Sequence, residues 1–373
     1  MNLSYWEYKT WLSDIDFTIV GSGIVGLNCA LQLYKRFPKA KILILEKGFL
    51  PQGASTKNAG FACFGSISEV LSDLECHREK EVVALVEQRW KGVQFLRKNV
   101  GDDTMDFQVH GGHELFLNSA DELFQKCENR LVEINRLLRP VYGADAFHLG
   151  PNTFGFNKVK EKYITNVFEG QLDTGKMMNS LLQLVHRAGI KILNSITVES
   201  FSEGVAGVDV KTNLFEFKTK KLLIATNGFA ASLLNEEVKP ARAQVLITEP
   251  IQNLAIKGTF HFDEGYYYFR NVGNRILFGG GRNLDFKGEE TSQFGSSKQI
   301  QDNLKKLLKE VILPNTPHQI DLRWSGIMGV GQQKKPIVKQ ISNHVYCGVR
   351  LGGMGIAIGS AIGKDLANIT SRL

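Results

Sequence analysis

Residues 16–26 read DFTIVGSGIVG and contain the pattern of a strand, a glycine turn and the start of a helix. The first five residues have the apolar pattern of a short buried strand, and an amphipathic pattern typical of a helix runs on to Arg36. Gly21, Gly23 and Gly26 form a G-x-G-x-x-G turn between the two. The first glycine permits the tight turn, the second lets a pyrophosphate approach the backbone, and the third lets helix and strand pack closely. The stretch therefore predicts a nucleotide-binding turn.

A second apolar strand is predicted over residues 41–45, and Glu46 stands at its tip, twenty residues after Gly26. Strand, helix and strand together make a β-α-β unit. A carboxylate at this tip accepts hydrogen bonds from ribose hydroxyls and repels a 2′-phosphate. These features predict a dinucleotide, but they do not distinguish FAD from NAD.

The segment after Glu46 favours FAD. Residues 53–61 read GASTKNAGF. Small residues there let the backbone lie along a second side of the dinucleotide, from the pyrophosphate toward a flavin ring. The hydrogen-bonding side chains between them suit the polar part of such a ligand.

The order of strand and helix patterns predicts an α/β fold in which nucleotide-type elements recur at the start, middle and end of the chain. A discontinuous, Rossmann-like domain is therefore expected over residues 1–75, 160–236 and 322–373. A second, β-rich domain is expected over residues 76–159 and 237–321. One helix is predicted over residues 69–100, and a strand pair around Gly111 and Gly112.

Composition narrows the functional classes. The net charge is +7, yet no long basic run is present, so nucleic acid is not expected as a partner. The five cysteines include no C-x-x-C pair, which argues against disulfides and a zinc site and for a reducing, cytoplasmic location. His110 and His113 lack further ligands nearby, so no metal is expected.

The aromatic N-terminus has no signal-peptide pattern. We expect residues 5–12 to pack against the body of the protein, and a weak contact with a membrane surface is the alternative. No apolar run is long enough for a membrane-spanning helix.

Further segments carry a resemblance to a known family. They are Ser4-Tyr5-Trp6-Glu7, the G-A-S-x-x-N-x-G segment, Leu172-Asp173, Ala225-Thr226-Asn227-Gly228 and residues 348–359. With them the sequence resembles the D-amino-acid oxidase-like family of FAD-dependent oxidoreductases. That family includes glycine and sarcosine oxidases and D-amino-acid dehydrogenases, and residues 4–7 are similar to those of gamma-glutamylputrescine oxidoreductase. The resemblance implies that the Rossmann-like domain is an FAD-binding domain of the glutathione-reductase type and that the β-rich domain is the α+β substrate domain.

The resemblance implies which residues hold the cofactor. No cysteine matches the position of covalent flavin attachment, so the FAD is expected to be non-covalent. A helix N-terminus behind residues 351–354 would stabilise the reduced flavin. Besides the three turn glycines, the implied contacts are Ile24, Val25, Glu46, Lys47, Ala54, Ser55, Asn58, Ala59, Gly60, Phe61, Val198, Ala225, Thr226, Gly228, Leu351, Gly352, Gly353 and Met354.

In such enzymes the flavin takes a hydride from the carbon that bears an amine, and the protein mainly positions the substrate. Arg350 is the first candidate to bind a substrate carboxylate, and pairing with an acid is the alternative. Tyr266, Tyr268 and Arg270 belong to a strand pair that faces the flavin in the family. They are the other candidate site residues.

Two differences from the pattern of the family leave the identity of the substrate and of the electron acceptor open. Met328 stands where many relatives have a second arginine, and Leu277 where sarcosine-oxidase relatives have an oxygen-activating lysine. The predicted reaction is oxidation of the C–N bond of a small amine or amino acid, such as glycine, sarcosine, a D-amino acid or a polyamine-like compound. The electron acceptor is O2 or another acceptor. The alternatives are a flavin-carrying subunit without independent turnover and a tRNA-modifying amine oxidoreductase.

Overall fold

The computed structural model describes residues 3–370. Within them the strands are β1 (Ile15–Val20), β2 (Ile42–Leu45), β3 (Phe61–Ala62), β4 (Gly112–Glu114), β5 (Phe147–Pro151), β6 (Lys162–Asn166), β7 (Gly170–Gln171), β8 (Lys191–Leu193), β9 (Val198–Gly204), β10 (Gly207–Thr212), β11 (Glu216–Ile224), β12 (Lys239–Thr248), β13 (Thr259–Phe262), β14 (Tyr267–Val272), β15 (Arg275–Gly280), β16 (Ile320–Val330), β17 (Ile337–Gln340) and β18 (Val345–Val349).

The α-helices in the same part of the chain are α1 (Tyr5–Glu7), α2 (Ile24–Arg36), α3 (Ala54–Lys57), α4 (Ile67–Cys76), α5 (Glu79–Val100), α6 (Asp102–Met105), α7 (Asp121–Tyr142), α8 (Thr174–Arg187), α9 (Lys298–Leu307) and α10 (Gly355–Ile369). Wider π-helical turns continue α1 to Leu12 and α9 to Ile312.

The first sheet has the order β17-β18-β11-β1-β2-β8, with β10 and β9 continuing from β11. β1 runs parallel to both β2 and β11, so the predicted β-α-β unit is present, with α2 as its connection. α2 and α10 approach closely, since a Cβ at Gly363 would stand 2.5 Å from the carbonyl oxygen of Val25. This packing brings the N-terminal and C-terminal glycine segments to the same end of the sheet.

The second sheet has the order β16-β12-β15-β14-β13-β4-β6-β5. One face carries an aromatic core that includes Phe156, Phe260, Phe269 and Phe278, against which α9 packs. Because side chains alternate along a strand, the residues next to these phenylalanines in sequence project to the opposite face of the sheet. We call that second side the inner face and define it by Glu114, His261, Tyr268, Arg270, Gly279 and Trp324, which the strand registers place together.

Two predicted elements differ from the structure. The single helix predicted over residues 69–100 is two helices, α4 and α5. The capping box of Ser66 and Glu69 starts the first helix two residues early, and the extended backbone of Arg78 separates the second from it. The predicted strand pair around Gly111 is one short strand, β4, whose neighbours β13 and β6 come from distant parts of the chain.

The long helices between residues 79 and 142 share a core with the first sheet. Val93 and Leu96 of α5 and Ile134 of α7 belong to the cluster that contains α2 and α10 residues. The sequence analysis places residues 76–159 in the substrate domain, although these two helices pack on the first sheet. The predicted domain boundaries stay a prediction.

The N-terminal segment lies on the surface. Ser4 and Glu7 form a capping box on α1, but Tyr5 and Trp6 expose 64% and 69% of their surface, and Tyr8 and Trp11 are exposed as well. The expectation that this segment packs against the body is wrong for these four side chains, and only Leu12 of the segment is buried. No helix within residues 3–370 combines the length and hydropathy needed to cross a bilayer.

Candidate active site

The glycine turn has the geometry that its sequence predicts. Gly21 has a φ of +103°, which favours glycine, and a Cβ there would stand 3.0 Å from the carbonyl oxygen of Ala225. A Cβ at Gly26 would stand 2.0 Å from the carbonyl oxygen of Gly21. The third glycine is therefore required for α2 to pack against the end of β1.

Ser55 stands at the N-terminus of α2. Its Oγ accepts a hydrogen bond from the backbone N–H of Ile24 at 3.0 Å, and it lies 2.9 Å from where a Cβ of Gly23 would be. Val25 follows in the buried first turn of the helix. The fold thus brings α3 against the glycine turn, which is where a pyrophosphate would meet a helix dipole.

Glu46 is buried at the tip of β2, beside the glycine turn. Its carboxylate accepts hydrogen bonds from the backbone N–H of Ser22 at 3.0 Å, the Ser22 hydroxyl at 2.6 Å and the N–H of Gly48 at 3.0 Å. Lys47 beside it is exposed. Val198 is buried at the start of β9.

Asn58 shapes the segment that follows α3. Its amide donates to the carbonyl oxygens of Ala54 and Ser55, and its Oδ1 accepts the N–H of Gly60 at 2.8 Å. Gly60 has a φ of +74°, and a Cβ there would stand 2.3 Å from the carbonyl oxygen of Leu172. The chain then passes buried Ala59 and presents partly exposed Phe61.

The loop of residues 351–354 is held against the ends of two other elements. The N–H of Leu351 donates to Oδ1 of Asn227, and the N–H of Gly352 donates to the carbonyl oxygen of Gly329. A Cβ at Gly352, Gly353 or Gly355 would meet nothing within 4 Å. Open space therefore adjoins this loop at the N-terminus of α10.

These segments fit a dinucleotide. They run from Glu46 past the N-terminus of α2 to the glycines at the N-terminus of α10, with the end of β11 beside them. There Thr226, between Ala225 and Gly228, has a buried Oγ1 with no hydrogen-bond partner in residues 3–370. A buried hydroxyl without a partner, two helix N-termini and open space beside glycines match an elongated anionic ligand.

The inner face of the second sheet meets this strip at Phe61. The rings of Phe61 and Tyr268 contact edge to face, with centroids 5.7 Å apart. Burial raises the pKa of Tyr268 to about 12, so the phenol stays protonated. Tyr266 takes no part in this contact, because it is 40% exposed and its ring packs against Phe286.

Arg270 lies two residues after Tyr268 in β14 and on the same face. Its guanidinium donates from Nη2 to the carbonyl oxygen of Leu172 at 2.9 Å, while its buried Nε has no partner in the described chain. Burial lowers the pKa of Arg270 to about 10, although Asp173 and Asp106 favour its charge. Within residues 3–370 this guanidinium forms no ion pair, so it is a buried cation able to accept an anion.

Arg350 is placed differently from its predicted role. Its Nη1 contacts Glu237 Oε2 at 3.0 Å and the Glu237 carbonyl oxygen, and its Nε donates to the carbonyl oxygen of Lys335. The structure thus shows the alternative interpretation, in which the arginine pairs with an acid. Its part in substrate binding stays a prediction.

Two buried acids that the sequence analysis missed hold the segment after β3. Glu169 accepts the N–H groups of Phe64 and Gly65, and burial raises its pKa to about 7. Glu114 accepts the N–H and the hydroxyl of Ser68, and burial raises its pKa too. The segment carries Cys63, whose Sγ lies 3.7 Å from Sδ of Met354 in the glycine loop. No local pattern marks these acids, because their partners come from other elements.

Comparison with known proteins agrees with this geometry. The model of the FAD-dependent oxidoreductase family, DAO, matches residues 16–369. The chain belongs to this family. The predicted oxidoreductase activity and the FAD cofactor are therefore confirmed for this DAO-family protein, and the cofactor-binding residues named above remain predictions.

Relatives with solved structures confirm the fold class. L-proline dehydrogenase from P. horikoshii is 20% identical, with a TM-score of 0.73 over 95% of this chain and 93% of its own. Glycine oxidase from Geobacillus kaustophilus is 19% identical, with a TM-score of 0.71 over 95% and 94%. A probable oxidoreductase of Haemophilus influenzae, OrdL, is 21% identical over 96% of this chain and 83% of its own.

Proposed function

We propose that this protein uses FAD to oxidise the C–N bond of a small amine or amino acid. The proposal rests on the contact between the inner face and the segment of Gly60 and Phe61. Tyr268 and Arg270 on the inner face stand against Phe61 and Gly60, next to the strip that fits the dinucleotide. A substrate placed against this contact would lie next to the reactive ring of a cofactor bound along the strip.

The bound FAD supplies a two-electron acceptor for a hydride. The chain's own residues position the substrate. Phe61 and Tyr268 form an apolar wall with one phenol hydroxyl, which excludes water and orients a small molecule. Arg270 offers Nε as a free donor and a buried positive charge, which suits a carboxylate.

The relatives act on compounds that share an amine nitrogen and a carboxylate. The names of the similar structures give proline, glycine and, for an enzyme of Chelativorans sp. BNC1 that is 17% identical, iminodiacetate. Buried Arg270 supports an amino acid for this chain, whereas Met328 in place of a second arginine supports an amine without a carboxylate. Buried Leu277, on the same face as Arg270, supports an acceptor other than O2.

Anaerobic bleaching of the flavin absorption tests the proposal. Glycine, sarcosine, D-alanine and L-proline are each compared with the matched amine that lacks the carboxylate: methylamine, dimethylamine, ethylamine and pyrrolidine. Bleaching by the acids alone identifies amino-acid recognition, and equal bleaching by both identifies an amine substrate. If neither series, extended with putrescine and iminodiacetate, bleaches the flavin, the proposed function is wrong. Release of the flavin on acid denaturation would support the predicted non-covalent binding.

The exposed N-terminal aromatic side chains support a second candidate, a flavin-carrying subunit of a larger complex. Tyr5 and Trp6 expose 64% and 69% of their surface. Their rings contact each other, and Lys9 lies over the Tyr5 ring. Purification from the native host under low salt tests this candidate. A stoichiometric second chain that is lost from a Tyr5→Ser/Trp6→Ser variant would support it.

A further inference from the structure

His261 is a residue of the inner face that neither the family resemblance nor the proposed function uses. It stands opposite Tyr268 of β14 and beside Glu114 of β4 in the strand registers. Partners in register project to the same side of a sheet. The imidazole of His261 therefore shares the face that meets Phe61 and the cofactor strip.

The imidazole of His261 lacks the partners that a structural histidine has. It is partly exposed, it makes no hydrogen bond within residues 3–370, and its Nε2 is buried without a partner. His113 provides the contrast, since it projects to the opposite face. Nδ1 of His113 contacts the Thr165 hydroxyl at 2.8 Å and its ring packs on Phe260, so only its Nε2 lacks a partner, whereas neither ring nitrogen of His261 has one within residues 3–370. A polar atom left unpaired in the interior calls for a ligand or a role in proton transfer.

Other groups at this place are poorly suited to accept a proton. Burial raises the pKa of Tyr268 to about 12 and that of the Cys63 thiol well above its usual value. Arg270 is a cation. The carboxylates of Glu114 and Glu169 are occupied by N–H and O–H donors of residues 64–68. His261 is the remaining nitrogen base on the inner face with a free ring nitrogen.

Charged groups from several elements surround His261. Glu114 from β4 and Glu169 from the segment before β7 interact electrostatically with it, and Glu69 from α4 interacts with both of these carboxyl groups. His113, the residue before Glu114 in β4, is a basic neighbour that projects to the opposite face. Burial lowers the pKa of His113 to about 4, so this imidazole is neutral. Tyr268 from β14 is neutral.

Small amines carry a proton at neutral pH, since alkylamines resemble the lysine side chain in their pKa. The nitrogen must release this proton before its lone pair can assist loss of a hydride from the adjacent carbon. We propose that His261 accepts the proton, an inference that rests on the proposed function. The substrate N–H bond breaks, an N–H bond forms on the imidazole, and the proton later passes to solvent.

Variants of His261 test the kinetic consequence. His261→Gln and His261→Asn should keep the flavin content and Tm of the wild type, and exposed His110→Gln is the matched control. Positioned bases contribute about 100-fold to 10,000-fold. Flavin reduction at pH 7 by the panel amine that bleaches the wild type should therefore fall at least about 100-fold in the His261 variants.

The pH profile separates this role from a structural one. Without the base only the neutral fraction of the amine reacts, so the rate in His261→Gln should rise about tenfold per pH unit toward the pKa of the amine. Exogenous imidazole should restore part of the rate in His261→Ala. A folded His261→Gln variant with the wild-type rate and pH profile would overturn the inference.

A binding experiment on the wild type is independent of turnover. tert-Butylamine has no hydrogen on the carbon that bears nitrogen, so it cannot be oxidised. In holoprotein labelled with 13C-histidine, the probe should shift the His261 resonance, assigned from His261→Gln, and leave His113 unchanged. Absence of a His261 response overturns the inference whether or not the flavin spectrum changes. If no panel compound bleaches the flavin but His261 responds, the proposed function fails and the binding role of His261 stands.

Discussion

The ring of Tyr268 lies over Gly279 on the neighbouring strand. A Cβ at Gly279 would stand 2.7 Å from Cε2 of Tyr268 and 2.5 Å from Cγ1 of Val245. Real Cβ atoms do not approach ring carbons so closely, so the absence of a side chain at Gly279 sets the orientation of Tyr268 against Phe61. The proposed substrate wall therefore depends on a glycine, a residue with no side chain.

Gly279→Ala should tilt the Tyr268 ring and slow flavin reduction by the identified substrate. Overpacking of this kind costs about 1–3 kcal/mol of unfolding free energy. Urea unfolding and anaerobic stopped-flow reduction measure the two effects. Gly150→Ala, where a Cβ meets only a Tyr163 ring carbon at 3.9 Å, is the control and should change neither. An unchanged reduction rate in Gly279→Ala would show that Tyr268 does not contact the substrate.

Arg270→Lys should distinguish acids from amines. Lysine keeps the charge but loses the fork that binds a carboxylate with two hydrogen bonds. We expect KM for an amino-acid substrate to rise at least about tenfold, a loss of about 1.4 kcal/mol, while KM for the matched amine stays constant. Steady-state kinetics on one matched pair gives the comparison. Equal effects on both members of the pair would assign Arg270 to holding Leu172 rather than the substrate.

Glu46→Gln should weaken FAD binding. The carboxylate orients the Ser22 hydroxyl and N–H beside the glycine turn, and a hydrogen bond to a charged group is worth about 1.5–3 kcal/mol. We expect the Kd of the apoprotein for FAD, measured by calorimetry, to rise at least about tenfold. Glu87→Gln, at a partly exposed position, loses only a surface pair with Lys91 and should keep the wild-type Kd. Wild-type FAD affinity in Glu46→Gln would remove Glu46 from the cofactor site.

Glu169 should make stability depend on pH. Burial raises its pKa from 4.5 to about 7, so the folded state binds more protons than the unfolded state between these values. Stability from this group is fully present below pH 4.5 and is lost as pH rises through about 7, by up to about 3 kcal/mol. The drop in unfolding free energy between pH 5 and pH 8, from urea denaturation, should be smaller in Glu169→Gln. Glu114 acts in the same direction, so the difference between the two proteins is the diagnostic quantity. A drop of equal size in both would refute the assignment.

Local sequence was sufficient for the nucleotide end. The turn of Gly21, Gly23 and Gly26 and the acidic tip at Glu46 are set by steric and hydrogen-bonding rules that act within one β-α-β unit. Residues 75–81 contain no glycine or proline, so no strong local signal marks the break between α4 and α5. The caps at Ser66 and Arg78, which begin the two helices, set that break.

The reacting end was decided by tertiary structure. Arg350 and Arg270 look alike as candidates in the sequence, but Glu237, which is 113 residues from Arg350, takes up the Arg350 guanidinium while the Nε of Arg270 stays free. His113 and His261 differ in the same way, because the strand register determines which of them projects to the inner face. The sequence by itself determined the family and the cofactor, since short-range rules suffice there. Which charged and titratable groups meet the substrate depends on pairings between distant strands, and only the folded chain brings those together.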